Sequence, residues 1–349
     1  MLAVQLTEWG RPPVVREIDD PAPTGEQLLI KVGAAGLCRS DLSVMDSPTD
    51  RFDYPLPLTL GHEVAGTVVD TGPDGDHTLL GKDVVVHGIW SCRACRNCRR
   101  GRQNYCLDLA PRPDGRLSPI GNGLGRPGGL AELMLVPSAD VLVPTGSLPA
   151  EQAAPLADAG LTAYHAIRTH RDLIDSETVA VVVGIGGLGH LAVQILRAFG
   201  VRHITAVDNR AQAHDLAIEL GAQTCHVSLD DAAADIIALG GADVIFDFVG
   251  APATIAPAPA LLGPGGRIVV VGTAGGRLAV GKDLGMPSGW QINAPFWGTT
   301  ADLREVVSLA QAGTLHSEVT TFGFADIPEA YRQLRSGAFA GRGVLVPGL

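Results

Sequence analysis

The strongest pattern of apolar and polar positions lies between residues 178 and 208. It opens with the β-branched run Val179–Val183, which is typical of a strand buried on both faces of a sheet. A glycine-rich segment follows, and apolar residues then recur at three- and four-residue spacings up to Phe199, which predicts a helix. A second apolar run, residues 203–207, leads to Asp208. This order predicts a strand–loop–helix–strand unit of a parallel α/β sheet.

The rest of the chain shows two kinds of pattern. Up to about residue 160, short β-branched runs alternate with Gly- and Pro-rich turns, which predicts a mostly antiparallel β domain. From about residue 161, strands and helices alternate in a doubly wound parallel sheet that ends near Trp290. Predicted elements are strands at 28–32, 64–69, 84–86, 130–136, 244–248, 268–271 and 343–347, and helices at 212–220, 303–310 and 327–335.

These patterns predict two domains in a chain of 349 residues, which is too long for one ordinary core. A Rossmann domain would comprise residues 161–294. A discontinuous β-rich domain would comprise residues 1–160 and 295–349.

Charge and hydrophobicity narrow the class of protein. The formal net charge of −11 argues against nucleic acid as a general partner. The longest apolar tract, residues 179–201, is interrupted by five glycines and by polar residues, so we expect no membrane span. The N-terminus lacks the pattern of a signal peptide, and five of the six cysteines lie between positions 38 and 106. We therefore expect a cytoplasmic protein whose cysteines bind metal rather than form disulfides.

The glycine-rich segment has the G-x-G-x-x-G spacing of dinucleotide-binding loops. Its candidate cofactor-binding residues are Gly184, Gly186, Gly187, Leu188 and Gly189. Such glycines allow a tight turn and a close approach of the pyrophosphate to a helix N-terminus. Asp208 would bind the adenosine ribose and repel a 2′-phosphate, which favours NAD over NADP. The alternative is a glycine-rich turn in an unrelated α/β unit.

Four cysteines form a C-x2-C-x2-C-x7-C segment: Cys92, Cys95, Cys98 and Cys106. Four thiolates in a tight loop converge on one tetrahedral ion and close it to substrate, which predicts a structural zinc site. An iron–sulfur cluster is the alternative, but the bacterial run has three residues before its last Cys and a Pro after it. Five nearby arginines would offset the negative charge of the thiolates; a nucleic-acid patch is the other interpretation.

Three separated segments offer ligands for a second zinc ion. They contain Cys38, His62 followed by Glu63, and Asp158. Taken singly, these residues also fit a buried thiol, a core histidine and a helix-capping aspartate.

Together the motifs closely resemble the zinc-dependent medium-chain alcohol dehydrogenase family. The resemblance covers essentially the whole chain in the family's order. Within the family, residues 58–63, 158–162 and 297–299 look most like bacterial NAD-dependent secondary alcohol dehydrogenases. The residues that carry the family resemblance are Cys38 with Ser40, Gly61-His62-Glu63 with Gly66 and Gly72, the four cysteines, and Gly184 to Gly189 with Asp208.

The resemblance implies a GroES-like catalytic domain beside the Rossmann domain, NAD as cofactor, and two zinc ions per chain. Cys38, His62 and Asp158 would bind the catalytic zinc, with a fourth position for substrate oxygen or water. Glu63 would lie behind the zinc or exchange onto it. Ser40 would accept the alcohol proton. Several family members end that relay at a histidine three residues further on, where this chain has Ser43, so the end of the relay stays open.

The resemblance also implies contacts with cofactor and substrate. Thr162 would pack beside the nicotinamide, Val249 and Val271 would contact ribose and nicotinamide from strand ends, and Arg342 would contact a phosphate. A plain surface arginine is the alternative for the last. Candidates for an apolar substrate pocket are Tyr54, Trp90, Phe296 and Trp297, although aromatic residues also form cores.

We therefore predict an NAD-dependent zinc enzyme that interconverts small secondary alcohols and ketones as a homo-oligomer, a dimer or a tetramer. One alternative is a member of the same family that acts on primary or aryl alcohols, aldehydes or polyols. Two others are a zinc-free enone reductase and a non-catalytic cofactor-binding protein that holds only the zinc of the four-cysteine segment.

Overall fold

A computed structural model describes residues 1–49, 51–281 and 285–349. The chain forms two units: Met1–Leu161 together with Gly298–Leu349, and Thr162–Trp297. The strands are β1 (Leu2–Leu6), β2 (Val14–Glu17), β3 (Leu28–Leu37), β4 (Leu58–Thr59), β5 (Glu63–Thr71), β6 (Asp83–Val86), β7 (Gly121–Asn122), β8 (Gly125–Arg126), β9 (Leu133–Val136), β10 (Leu142–Pro144), β11 (Val179–Val183), β12 (His203–Val207), β13 (Thr224–His226), β14 (Ala242–Asp247), β15 (Leu262–Val270), β16 (Gln291–Asn293), β17 (Val319–Phe322) and β18 (Arg342–Leu345). The helices are α1 (Arg39–Met45), α2 (Arg96–Arg99), α3 (Ala150–Ala153), α4 (Ala159–Arg168), α5 (Gly189–Ala198), α6 (Ala211–Glu219), α7 (Leu229–Ala238), α8 (Pro252–Ile255), α9 (Thr300–Gln311) and α10 (Ile327–Ser336).

The first unit is built mainly on antiparallel sheets. A small sheet has the order β2-β1-β4, and a larger one has the order β10-β6-β5-β3-β18-β17, with β9 also paired to β3. The register of β3 and β5 sets Gly36 opposite Glu63. Because Cys38 directly follows β3 and His62 directly precedes β5, this register brings the two side chains to one end of the sheet.

The second unit contains a six-stranded sheet in the order β13-β12-β11-β14-β15-β16, and its pairs are parallel. The residues of β11 are at most 6% exposed, and a fully buried valine contributes roughly 1.5–3 kcal/mol. The strand order reverses beside β11, which has β12 on one side and β14 on the other. Open α/β sheets bind ligands at the carboxyl ends of the strands at such a switch point.

The predicted fold class, a doubly wound parallel Rossmann sheet with a β-rich unit, is confirmed. Elements that the pattern did not predict include β13, β16 and α7. Every helix in the described part of the chain is too short or too polar to cross a membrane.

Candidate active site and metal centres

Four buried residues of the first unit converge at one point, and we call Cys38, His62, Glu63 and Asp158 the catalytic cluster. Cys38 precedes α1, His62 directly precedes β5, Glu63 is the first residue of β5, and Asp158 follows the 3₁₀ turn Ala154–Ala157. One ligand atom from each lies within 4.8 Å of the others. Each of the four residues is at most 7% exposed. The structure therefore brings together residues that are up to 120 positions apart in the sequence.

The distances within the cluster fit one tetrahedral ion. Oδ2 of Asp158 lies 3.6 Å from Sγ of Cys38 and 3.6 Å from Nε2 of His62. Ligand atoms about 2.0–2.3 Å from a tetrahedral zinc ion are roughly 3.3–3.7 Å apart. A thiolate, an imidazole and a carboxylate form a donor set that zinc accepts. These three residues fit a zinc ion with a fourth position for another ligand.

Asp41 orients two members of the cluster and was not assigned a role from the sequence. Its Oδ2 accepts a hydrogen bond from the backbone N–H of Cys38 at 2.9 Å, and its Oδ1 lies 3.3 Å from Nδ1 of His62. Burial lowers the pKa of His62, but Asp158 and Asp41 outweigh burial and raise the pKa well above its ordinary value. The two carboxylates therefore favour positive charge here. The sequence signal that could have identified Asp41 is an acid three residues after the ligand Cys38, in the first turn of α1.

Arg342 lies in the same buried region. Its Nε donates to Oε2 of Glu63 at 2.9 Å, and its Nη2 donates to Oε1. The same Nη2 is 3.6 Å from Sγ of Cys38 and 3.6 Å from Oδ2 of Asp158. Burial raises the pKa of Glu63, and Arg342 counteracts burial by favouring the charged carboxylate. Arg342 thus offsets negative charge around the cluster, and its contact with a cofactor phosphate stays a prediction.

Ser40 lies beside the cluster, with its Oγ 3.6 Å from Sγ of Cys38. The hydroxyl of Ser43, one turn further along α1, donates to the carbonyl of Arg39 at 3.2 Å. Ser43 is therefore engaged with its own helix, and the end of the relay stays open.

The four cysteines of the second metal centre also converge. Sγ–Sγ distances are 3.9 Å for Cys92–Cys98, 3.5 Å for Cys95–Cys98 and 4.0 Å for Cys95–Cys106. Sulfurs about 2.3 Å from one tetrahedral zinc are roughly 3.8 Å apart. The segment fits a closed structural zinc site.

Backbone amides of the segment donate hydrogen bonds to its sulfurs. The N–H of Cys92 donates to Sγ of Cys106 at 3.4 Å, and the N–H of Cys95 donates to Sγ of Cys92 at 3.3 Å. Arg93 instead pairs with Glu26 at 3.1 Å and with Asp140 at 2.5 Å. Arg93 is thus paired with two carboxylates, and the offsetting of the thiolate charge by the nearby arginines stays a prediction.

The glycine loop lies between β11 and α5, and its glycines have different roles. Gly184 has a φ of +89°, which side chains rarely adopt, and a Cβ on Gly189 would lie 1.8 Å from the carbonyl oxygen of Gly184. A Cβ on Gly186 would meet only Nη2 of Arg210, at 3.9 Å. Space is therefore open over Gly186, close to the α5 N-terminus, as a bound pyrophosphate requires. Gly187 and Leu188 complete the loop before α5 begins.

The other predicted cofactor contacts are distributed along the second unit. Asp208 directly follows β12 and accepts a hydrogen bond from the N–H of Ile185 at 2.8 Å. Val249 and Val271 follow β14 and β15 at the carboxyl end of the sheet. Thr162 is buried in α4. Asp208 and the two valines thus share one edge with the glycine loop.

The predicted aromatic pocket residues occupy separate places within the units. Tyr54 stacks on Phe52 at 4.6 Å, and burial raises the pKa of Tyr54 to about 12. Trp90 lines a cavity of about 940 Å³ in the first unit, whose lining includes no member of the catalytic cluster. Phe296 and Trp297 contact each other edge to face at 6.0 Å in the second unit. A common substrate pocket stays a prediction.

Comparisons with known proteins agree with this architecture. Residues 24–147 match the alcohol dehydrogenase GroES-like domain, and residues 187–312 match the zinc-binding dehydrogenase family. D-arabinose 1-dehydrogenase (NADP(+)) of Saccharolobus solfataricus is 35% identical, with 99% of this chain and 97% of the relative covered.

Solved structures are similar over the same length. The alcohol dehydrogenase of the archaeon Aeropyrum pernix is 30% identical with a TM-score of 0.89, covering 99% of this chain and 100% of the other. Acetophenone reductase of Geotrichum candidum, solved with NAD, is 29% identical with a TM-score of 0.82, covering 99% of this chain and 96% of the other.

The fold and these matches define a zinc-binding dehydrogenase. More specifically, the chain belongs to the zinc-dependent medium-chain alcohol dehydrogenase family. The predicted family is confirmed. The closer likeness to bacterial enzymes is not what the comparisons support, because the curated relative and the Aeropyrum structure come from archaea.

Proposed function

We propose that this protein is a zinc-dependent oxidoreductase that interconverts secondary alcohols and ketones with NAD. The observation that carries the proposal is the convergence of Cys38, His62 and Asp158 at distances suited to one ion, with Ser40 beside them. A zinc ion held there would act as a Lewis acid toward the substrate oxygen, and NAD would exchange the hydride.

The chain's own residues bind, orient and move a proton. Asp41 holds the Cys38 backbone and faces the ring nitrogen of His62 on the side away from Asp158, which fixes the orientation of the ligand. Ser40, whose Oγ lies 3.6 Å from Sγ of Cys38, is the residue proposed to accept the substrate proton. Since a serine hydroxyl does not keep a second proton, and Ser43 donates to its own helix, water is the proposed acceptor beyond Ser40.

Secondary alcohols are favoured because the similar Geotrichum enzyme is named for acetophenone, a ketone whose reduction gives a secondary alcohol. A second candidate substrate class has its own support. The D-arabinose relative acts on a sugar, so a polyol or sugar substrate is the alternative.

We also propose a homo-oligomer. The strand β16 ends the parallel sheet of the second unit, and Gln291, Ile292 and Asn293 are all exposed. An unpaired sheet edge is a template for pairing with another chain. Light scattering coupled to gel filtration tests this: a single species of one chain mass would contradict it.

NAD-linked oxidation rates on matched substrates test the function. The panel comprises medium-chain 2-alkanols, 1-phenylethanol, the corresponding primary alcohols, a short diol and D-arabinose. We expect a preference for secondary alcohols that is abolished by a zinc chelator and by Cys38→Ser. Faster turnover of D-arabinose or the diol would establish the second candidate, and no turnover of any substrate would contradict both.

A further inference from the structure

The cavity of about 940 Å³ that Trp90 lines has the size of a ligand pocket, since such pockets usually have volumes of about 300–1,000 Å³. Its lining comes from the first unit, and among the described residues no member of the catalytic cluster belongs to it. The walls are formed by β1, β4, β9, the four-cysteine segment and the beginning of α9. The amide of Gln103 lies 2.8 Å from the hydroxyl of Thr300, which joins the four-cysteine segment to α9. The cavity therefore lies between elements of one folded unit.

Much of the cavity wall is apolar. Ile89, Met134, Val136 and Val141 line it and are each at most 7% exposed, and Trp90 adds an aromatic ring. Because removing apolar surface from water is favourable, such a wall favours a ligand with a hydrocarbon or aromatic body.

Two buried polar atoms of the lining are left without a hydrogen bond. Gln5 is 7% exposed, and its Nε2 donates to Oγ1 of Thr59 at 3.2 Å. Its Oε1 is buried and accepts no hydrogen bond from the residues that the structure describes, and Nε1 of Trp90 is buried and donates none to them. Buried polar groups in proteins are normally hydrogen-bonded. One acceptor and one donor in the wall thus match a hydroxyl group on the ligand.

The charges of the lining favour a single negative group. Arg126, at the end of β8, and Arg304, in α9, are exposed, and neither forms a salt bridge with a described residue. Arg93 also lines the cavity but is held by two carboxylates, at 3.1 Å and 2.5 Å. The carboxylate of Asp19 lies in the same lining and disfavours a second negative group on the ligand. The cavity therefore offers two guanidinium groups to one anionic group.

We propose that this cavity binds a small monocarboxylate with a hydroxylated apolar or aromatic body, at a site separate from the catalytic cluster. The planar guanidinium groups of Arg126 and Arg304 match a carboxylate in shape and charge. The apolar wall holds the body, and Gln5 and Trp90 face its hydroxyl. This site goes beyond the proposed oxidoreductase function and does not depend on it.

Calorimetric titration of the zinc-loaded protein with 3-(4-hydroxyphenyl)propionate tests the proposal. Saturating NADH keeps the probe out of the cofactor site. The variants are Arg126→Ala and Arg304→Ala, with Arg11→Ala as the matched control, because the Arg11 side chain is 70% exposed in the same unit. Cys38→Ser is included because a carboxylate could also bind a zinc ion at the catalytic cluster.

We expect one binding site per chain with a Kd of about 1 mM or lower for the wild type. Arg126→Ala and Arg304→Ala should each weaken binding by about tenfold or more, because each removes a charge-assisted hydrogen bond. The methyl ester of the probe should lose as much affinity, since it keeps the ring and lacks the charge. Arg11→Ala and Cys38→Ser should leave the Kd unchanged.

Three results would overturn the proposal: no saturable binding by the wild type, an unchanged Kd in both Arg126→Ala and Arg304→Ala, or equal affinity for the ester. Loss of binding in Cys38→Ser but not in the arginine variants would place the probe at the catalytic cluster and would also overturn it. Each of these results leaves the dehydrogenase function intact, because alcohol oxidation is measured separately.

Discussion

The buried ion pair between Arg342 and Glu63 gives a prediction of stability. Both side chains are at most 5% exposed, and two hydrogen bonds join them. In Arg342→Leu the Glu63 carboxylate stays buried near the carboxylate of Asp158 without its cation. The substitution should therefore destabilise the first unit far more than the loss of one surface charge would.

The magnitude follows from breaking one side of a buried pair, which costs about 3–5 kcal/mol. Units of about 150–250 residues lose about 2–4 °C of Tm per kcal/mol. We therefore expect the transition of the first unit to fall by at least about 6 °C. Adding Glu63→Gln should recover part of this loss, because the unpaired charge is then removed.

Arg335→Leu is the matched control in the same unit. Arg335 contacts Asp46 with its Nη1 at 2.5 Å and its Nη2 at 2.9 Å, but these side chains are 56% and 51% exposed. Exposed pairs contribute about 0–1 kcal/mol. Calorimetry of the two zinc-loaded variants measures the Tm of the first unit in each. If Arg342→Leu lowers Tm no more than Arg335→Leu does, the reasoning about buried charge is wrong.

Four further substitutions probe the metal sites and the cofactor loop. Gly189→Ala places a Cβ 1.8 Å from the carbonyl oxygen of Gly184 and should lower the Tm of the second unit in calorimetry. Gly186→Ala should keep the fold and weaken NADH binding roughly tenfold in a titration. Equal effects of the two substitutions on Tm and on NADH affinity would show that the loop roles were misassigned. Cys98→Ser should remove the structural zinc and lower the Tm of the first unit while the NADH Kd stays constant, and retention of that zinc in elemental analysis would contradict it. Asp41→Asn should lower the zinc affinity of the catalytic cluster by about 10–100-fold, measured in competition with a chelator. An unchanged affinity would exclude an orienting role for Asp41.

Local pattern predicted the parts of the fold whose burial is uniform. The runs at residues 179–183 and 203–207 coincide with β11 and β12, because strands buried on both faces require continuous apolar sequence. The glycine loop was predictable because its spacing follows a strand and precedes a helix. In contrast, all three residues of β16 are exposed, so no apolar pattern marks it.

Long-range pairing explains what sequence reasoning did not predict at the site. Glu63 and Arg342 are 279 positions apart, and only the pairing of β3 with both β5 and β18 brings them together. Arg210 is only two residues from Asp208, yet its hydrogen bonds to the Asp208 carboxylate depend on where its flexible side chain folds back. Motifs identify candidate ligands, whereas the charges that surround them follow from the register of the strands.

Zinc content in Asp158→Ala tests the account most directly. Asp70→Ala, an exposed aspartate of the same unit, is the matched control. Elemental analysis after dialysis should give about two zinc ions per chain for the wild type and the control, and about one for Asp158→Ala, with NAD-linked alcohol oxidation lost. Two tightly bound zinc ions in Asp158→Ala would contradict the assignment of the catalytic cluster.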